Sequence, residues 1–179
     1  MTNDTTTRRK FASTMDEAEY VYLKLIYWLY QREDVSRARR FADRLEKLVR
    51  KIDSSRESIF GQEYRALICE ARGDLAGAIR FREGQIRRIR KLHRLAANSP
   101  DWDYICRFYD HSDLSDRLDL LALLYDEAGD TRKAIGLLEE SKEYCRRHGI
   151  PFEGQEVQDE LQEDFQPAVI RNGKRERKT

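Results

Sequence analysis

The chain has 179 residues with 34 Lys or Arg against 33 Asp or Glu, a formal net charge of +1. That length suffices for one domain with a real hydrophobic core, but the even balance argues against global attraction to DNA or an acidic membrane. Any electrostatic specificity must therefore come from local segregation of charge.

Only three prolines and nine glycines punctuate a chain rich in Leu, Arg, Glu and Ala, a composition that favours helices. Residues 1–14 are polar and threonine-rich and read as a flexible N-terminal tail; no apolar run precedes Tyr20, so they are not a secretory signal. From Met15 onward apolar residues recur at helical spacing. The pattern predicts helices at about 15–32, 35–52, 57–72, 75–96, 102–110, 114–128, 131–147 and 154–165. The most apolar stretch, YVYLKLIYWLY (20–30), is too short to span a bilayer and is broken by Lys24. It is apolar nearly all round, so both its sides need cover. Tyr22, Ile26 and Leu29 are assigned to the core. The rest is to be covered by Phe11 and the N-terminal segment, by a ligand, or by a homodimer or partner contact through Tyr27 and Trp28.

Three joints between predicted helices share one spacing: QREDVSRARRF (31–41), EARGDLAGAIRF (70–81) and DEAGDTRKAIGLL (126–138). Each has an aspartate suited to capping the next helix, Asp34, Asp74 or Asp130. Four residues later stands an alanine, Ala38, Ala78 or Ala134, and three further an apolar residue, Phe41, Phe81 or Leu137. Gly73 and Gly129 are placed to end the preceding helix. A small residue just after a tight turn lets two antiparallel helices approach closely. Three matches with one internal spacing predict a repeated helical hairpin.

On these residues the chain resembles the tetratricopeptide repeat (TPR) family. In LDLLALLYDEAGDTRKAIGLLEES (118–141), Leu118, Leu121, Ala122 and Tyr125 stand where that family places its large, large, small and aromatic signature. Gly129, Asp130, Ala134, Ile135, Leu138 and Ser141 fit the turn and second helix. GQEYRALICEARGDLAGAIRFREGQI (61–86) matches through Ala66, Gly73, Asp74, Ala78 and Ile79 and departs at Cys69 and Arg82. YLKLIYWLYQREDVSRARRFADRL (22–45) lacks both glycines. The aspartates stand 40 and 56 residues apart against a family period of about 34. The resemblance implies an all-α TPR-like superhelix of about three degenerate hairpins over 15–166. EGQEVQDELQEDFQ (153–166) is its C-terminal capping helix, with Val157, Leu161 and Phe165 inward, and 167–179 is a basic tail.

The same resemblance implies that first helices line a concave groove and second helices form the convex outside. It projects Tyr20, Leu23, Tyr27 and Tyr30 into the groove from the first hairpin, and Phe60, Glu63, Leu67 and Glu70 from the second. The third contributes Asp116, Asp119, Leu123 and Asp126. A groove that is aromatic at one end and acidic at the other suits a peptide carrying Lys or Arg and an apolar anchor. The basic tail is itself a candidate occupant. The family's carboxylate clamp is missing, because Leu23, Tyr27, Tyr64, Asp116 and Leu120 hold the corresponding places.

Charge is segregated along the chain: 37–51 hold seven Arg or Lys against two acids, 80–94 seven against one, while 101–119 hold six aspartates against two arginines. The densest stretch, IRRIRKLHR (86–94), lies on a predicted second helix with Ile79, Ile86, Ile89 and His93 inward. Arg80, Arg87, Arg90, Lys91 and Arg94 then form a basic outer face. It reads first as solvated or engaged in internal salt bridges, and second as a surface for phosphate or acidic groups; no element is aimed at base edges. YDHSDLSD (109–116) reads as helix capping by Ser112 and Asp113 rather than as a metal site. The cysteines Cys69, Cys106 and Cys145, odd in number and far apart, argue against a disulfide framework and for a reducing compartment. No phosphate loop, nucleophile elbow or zinc motif occurs. The sequence thus leads to a cytoplasmic, non-catalytic protein-interaction scaffold without metal or cofactor. A nucleic-acid-associated accessory using the basic faces, or a homo-oligomeric assembly subunit, stands as the alternative.

Overall fold

The computed structural model describes residues 11–52, 59–96 and 111–162, and these are helical with no strand among them. The predicted helix at 102–110 and the tail after 166 lie outside the described residues. The helices are α1 (Thr14–Ile26), which continues as a π-helical turn (Tyr27–Gln31), α2 (Val35–Ile52), α3 (Ile59–Arg72), α4 (Leu75–Ala96), α5 (His111–Glu127) and α6 (Thr131–His148). A final helix, α7, covers 155–162. The chain forms two compact units, Met1–Asp74 and Leu75–Thr179. Their boundary falls inside the second predicted hairpin.

In the first unit, Ser13 caps α1 by accepting from the Asp16 amide at 3.1 Å, and α1 carries Asp16 and Glu17 in its first turn. The core stripe of α1 is Ala18, Val21 and Leu25, buried with Ala38, Ala42, Leu45, Leu48 and Val49 of α2 and with Tyr64, Leu67, Ile68 and Ala71 of α3. The expected core residues Tyr22, Ile26 and Leu29 flank that stripe as partly buried neighbours. The small Ala18 lets the helices approach, which turns the larger side chains to the flank. Tyr22 donates to Glu63 Oε1 at 3.2 Å, and Tyr30, eight residues on, donates to Glu70. These pairs, 41 and 40 residues apart, fix α1 and α3 as parallel neighbours in matching register.

In the second unit, three contacts tie α4 to α6 at a nearly constant offset. Lys133 lies 3.5 Å from Glu83, Arg90 bridges to Glu140, and Tyr144 and His93 Nδ1 share a hydrogen bond at 3.2 Å. The separations of 50, 50 and 51 residues make α4 and α6 parallel. Leu118, Leu121, Ala122 and Tyr125 of α5 are buried, as are Ala134, Leu138, Ser141 and Cys145 of α6. Of the predicted capping helix, Leu161 is buried, but its companion inside is Gln158, with Val157 only half-buried. Gly154 allows this approach: a Cβ there would meet the Phe152 ring at 2.9 Å and Leu138 at 3.1 Å. Phe165 lies outside the described residues.

The interhelix turns repeat one geometry. Gly73 and Gly129 adopt φ of 75° and 81°, and in each turn the following aspartate amide donates five residues back, Asp74 to Cys69 and Asp130 to Tyr125. The glycine amides donate to Glu70 and Asp126, which completes a Schellman closure. In the first hairpin Glu33 takes the left-handed place with φ 51°, and the Asp34 amide reaches six residues back, to Trp28. The π turn accounts for the extra residue. Asp34 and Asp130 then cap through side chains that accept from the Arg37 and Lys133 amides. Ala38, Ala78 and Ala134 are all fully buried.

A left-handed conformation costs a side-chain-bearing residue about 1–2 kcal/mol, which glycine avoids at some entropic cost in the unfolded chain. Glu33→Gly should therefore stabilise the protein by about 1 kcal/mol, a rise of about 2–4 °C in thermal midpoint by circular dichroism. Gly129→Ala should lower it by a similar amount. A lower midpoint for Glu33→Gly would show that the glutamate side chain contributes more than its backbone costs.

Candidate functional site

An exposed aliphatic or aromatic side chain on an otherwise well-packed helix needs an account of what it meets. On α1 and its π turn these are Met15, 47% exposed in the first helical turn, Leu23, 57% exposed, and Tyr30, 49% exposed, the last in the π turn. Widening one helical turn by a residue rotates the residues beyond it, and such turns recur at functional sites. Here the segment is Tyr27, Trp28, Leu29, Tyr30 and Gln31, closed by the Arg32 amide donating to Tyr27.

Tyr20 and Tyr27, two turns apart on one helical face, are half-buried. Lys24 sits between them, its ammonium 5.9 and 5.6 Å from their ring centres. Phe11 packs against Tyr20 at 5.4 Å and so covers part of this helix. The Trp28 ring lies against Tyr27 at 5.1 Å and carries the Arg37 guanidinium 4.3 Å above it. The α1 rings therefore already hold cations from the chain, a contact of about 0.5–1 kcal/mol where exposed.

Carboxylates border this face. Glu70, half-buried, accepts from Tyr30. Glu63 is 5% exposed beneath Tyr22. Burial, with the nearby charges of Glu19 and Glu63, pushes the Tyr64 phenol above its usual range. Leu67, projected onto the groove, is 1% exposed and belongs to the core, where α1, α2 and α3 meet. This face presents Leu23, Tyr27, Tyr30 and Glu70, with Glu63 buried below Tyr22. Sequence reasoning missed Lys24 as a member of the face; its place four residues from Tyr20 and three from Tyr27 carried the signal.

The acidic residues projected from the third hairpin lie in the second unit. Asp116 and Leu123 are exposed. Asp126 accepts from the Thr131 hydroxyl at 2.9 Å and so serves the turn. Asp119 is half-buried, with Oδ1 lacking a hydrogen-bond partner among the described residues. Burial raises its pKa first, a hydrogen bond from Ser141 opposes this, and Asp116 and Glu153 raise it further. Helix α5 starts at His111, so Asp113 stands in its first turn rather than before it.

The basic stretch on α4 is largely engaged. Arg87 lies 3.7 Å from Glu83, Arg90 pairs with Glu140, and Arg94 Nε donates to the Arg90 carbonyl at 3.4 Å. Arg80 covers the Phe81 ring at 5.0 Å, and Lys91 is exposed. Beneath this face, Tyr125 donates to Glu83 at 2.6 Å while Lys133 donates to Tyr125. These contacts hold the Glu83 carboxyl below its usual range. Arg82, the departure noted in the repeat, is 1% exposed with its guanidinium 3.5 Å from Gln85 Oε1.

Among the described residues no group of three His, Cys, Asp or Glu side chains could hold a metal ion, and no helix is long and apolar enough to cross a membrane. No protein-family model, no curated protein and no solved structure matches the chain.

Because the folded state raises the Asp119 pKa above 3.8, its ionisation costs stability above that raised value and costs nothing once both states are protonated. Asp119→Asn should raise the thermal midpoint at pH 7 by about 1–2 °C, the partial exposure reducing the effect. The gain should shrink as the pH falls below the raised value and vanish below 3.8. A loss at pH 7 would mean that the bond from Ser141 outweighs burial.

Proposed function

We propose that this chain is a non-catalytic, TPR-like interaction scaffold whose partner docks on the α1–α3 face of the first unit. The observation that carries the reading is the pair of exposed anchors, Leu23 and Tyr30, with Tyr30 donating to the Glu70 carboxylate. Solvent-exposed apolar side chains within reach of a carboxylate suit a segment bearing one apolar residue and one Lys or Arg. The parallel alignment of α1 with α3, and of α4 with α6, supports the repeat reading, as do the shared turn geometry and the three buried alanines.

Partner binding would displace cations that the face now holds internally, Lys24 above all. Exchange of one cation for another makes the electrostatic gain small, so the apolar anchor supplies most of the affinity and the carboxylate its selectivity. Self-association through Tyr27 and Trp28 is the competing use of the same face. It is weakened by Trp28 being half-buried and already stacked with Arg37. The cysteines Cys69 and Cys145 lie in different units, and a reducing, cytoplasmic setting fits them.

Selection from a random peptide library should enrich sequences with a Lys or Arg near an aromatic or leucine. Tyr30→Ala and Leu23→Ala should each weaken a selected peptide about 10-fold, and Glu70→Gln should reduce the preference for cationic members. Enrichment of acidic peptides, or indifference to all three substitutions in folded protein, would sink the reading. Light scattering run alongside should show a monomer mass; a dimer lost on Trp28→Ala would favour self-association instead.

A further inference from the structure

The most basic sequence stretch is not the least engaged basic surface. Helix α2 carries Arg37, Arg40, Arg44, Lys47 and Lys51 at steps of three and four, so all five share one side of the helix. They fall within an arc of about 80° and along about 21 Å of axis, with no acid in that arc. All five are exposed. Arg37 is engaged by Asp34 and Trp28, and Arg44 by Glu17 at 2.6 Å. Arg40, Lys47 and Lys51 pair with no acid among the described residues.

The turn geometry supplies a register in which to compare helices. Arg40, Lys47 and Lys51 stand 6, 13 and 17 residues after Asp34; Arg80, Arg87 and Lys91 stand at the same distances after Asp74. All three of the latter are exposed too. After Asp130 the same places hold Gly136, Glu143 and Arg147, so the third hairpin interrupts the pattern. The outward cations of α2 and α4 thus recur at fixed repeat positions, and on α2 they are left without counter-charges among the described residues.

We propose that the α2 stripe is a sequence-independent binding surface for the phosphate backbone of double-stranded nucleic acid. The magnitudes choose this partner over an acidic protein. Exposed carboxylate pairs return little net free energy each, whereas a polyanion releases condensed counterions for every cation that replaces them. A duplex offers a phosphate about every 3.4 Å per strand, so 21 Å of helix faces roughly six of them on one strand. The arc holds no aromatic side chain on which an unstacked base could lie, which favours duplex over single strand. It holds no apolar side chain to insert into a bilayer, which disfavours a membrane surface. Nothing in it aims at base edges, so affinity is independent of sequence.

The test uses the full chain and fluorescence anisotropy with labelled 20-base-pair DNA and RNA duplexes of two unrelated sequences, from 20 to 150 mM KCl. The expected dissociation constant is about 10⁻⁴–10⁻⁶ M, equal between sequences within about twofold, with a log–log salt slope of about −3 to −4.5. Arg40→Gln/Lys47→Gln/Lys51→Gln should weaken binding at least about 10-fold and flatten the slope by about 2.7, with an unchanged circular dichroism melt. The DNA and RNA arms show whether the backbone type matters. Failure of the folded wild type to bind either duplex at 20 mM KCl would overturn the proposal, as would a triple variant with an unchanged slope. So would tighter binding to phosphatidylserine vesicles or to single strands, or a loss confined to Arg87→Gln/Lys91→Gln. None of these outcomes bears on the α1–α3 face, since Leu23, Tyr30 and Glu70 are untouched.

Discussion

The helical pairings in this protein depend on one small constraint, a residue in the left-handed region followed by an aspartate. The left-handed residue breaks the helix and lets the aspartate amide reach back to satisfy a terminal carbonyl. At Asp34 and Asp130 the same residue then turns its carboxylate to the first free amides of the next helix. One residue thus closes one helix and opens another, leaving almost no connecting chain. The next helix must fold back at once, and four residues later it is too close for any side chain beyond a methyl. That is why Ala38 and Ala134 are fully buried.

The first hairpin shows how far the device bends without failing. It has one residue more between the reach-back acceptor Trp28 and the capping Asp34 than the other turns have. A π turn takes up the surplus, and Glu33 tolerates the position that glycine fills elsewhere. The consequence lies on the surface. The turn sits under Tyr27, Trp28 and Tyr30, so local irregularity and exposed aromatic area coincide. Strained backbone close to an exposed apolar face is the usual signature of a surface shaped by something other than stability.

Helix positions were legible because the apolar period and the aspartate–alanine spacing report the same hairpins independently; α2 and α4 have the expected limits. The surface was legible only in part. Exposure of Leu23 and Tyr30 follows from the period of α1, but burial of Leu67 and Gln158 does not follow from theirs. A period places a residue on a face and leaves open how wide the buried face is. On α3, which packs against both α1 and α2, that face extends to Leu67 and reaches Glu63. The π turn had no signal beyond the missing glycine, since an inserted residue changes spacing by one and helical periodicity tolerates that.

Charge taught the opposite lesson from packing. Sequence density singled out IRRIRKLHR, yet density counts cations without their partners. The offset of about 50 residues that aligns α6 with α4 brings Glu140 to Arg90, while Glu83 on α4 itself takes Arg87 and Lys133. Helix α2 has acids as well, but Asp43 and Glu46 lie off the stripe and are drawn to Arg72 of α3, which lies 2.7 and 2.8 Å from them. Their attraction holds the Glu46 carboxyl low and removes two counter-charges from the outer face. A folded chain therefore sorts its cations by which acids the packing has already claimed. Among the described residues of α2, Arg40, Lys47 and Lys51 are the exposed stripe cations that no acid has claimed.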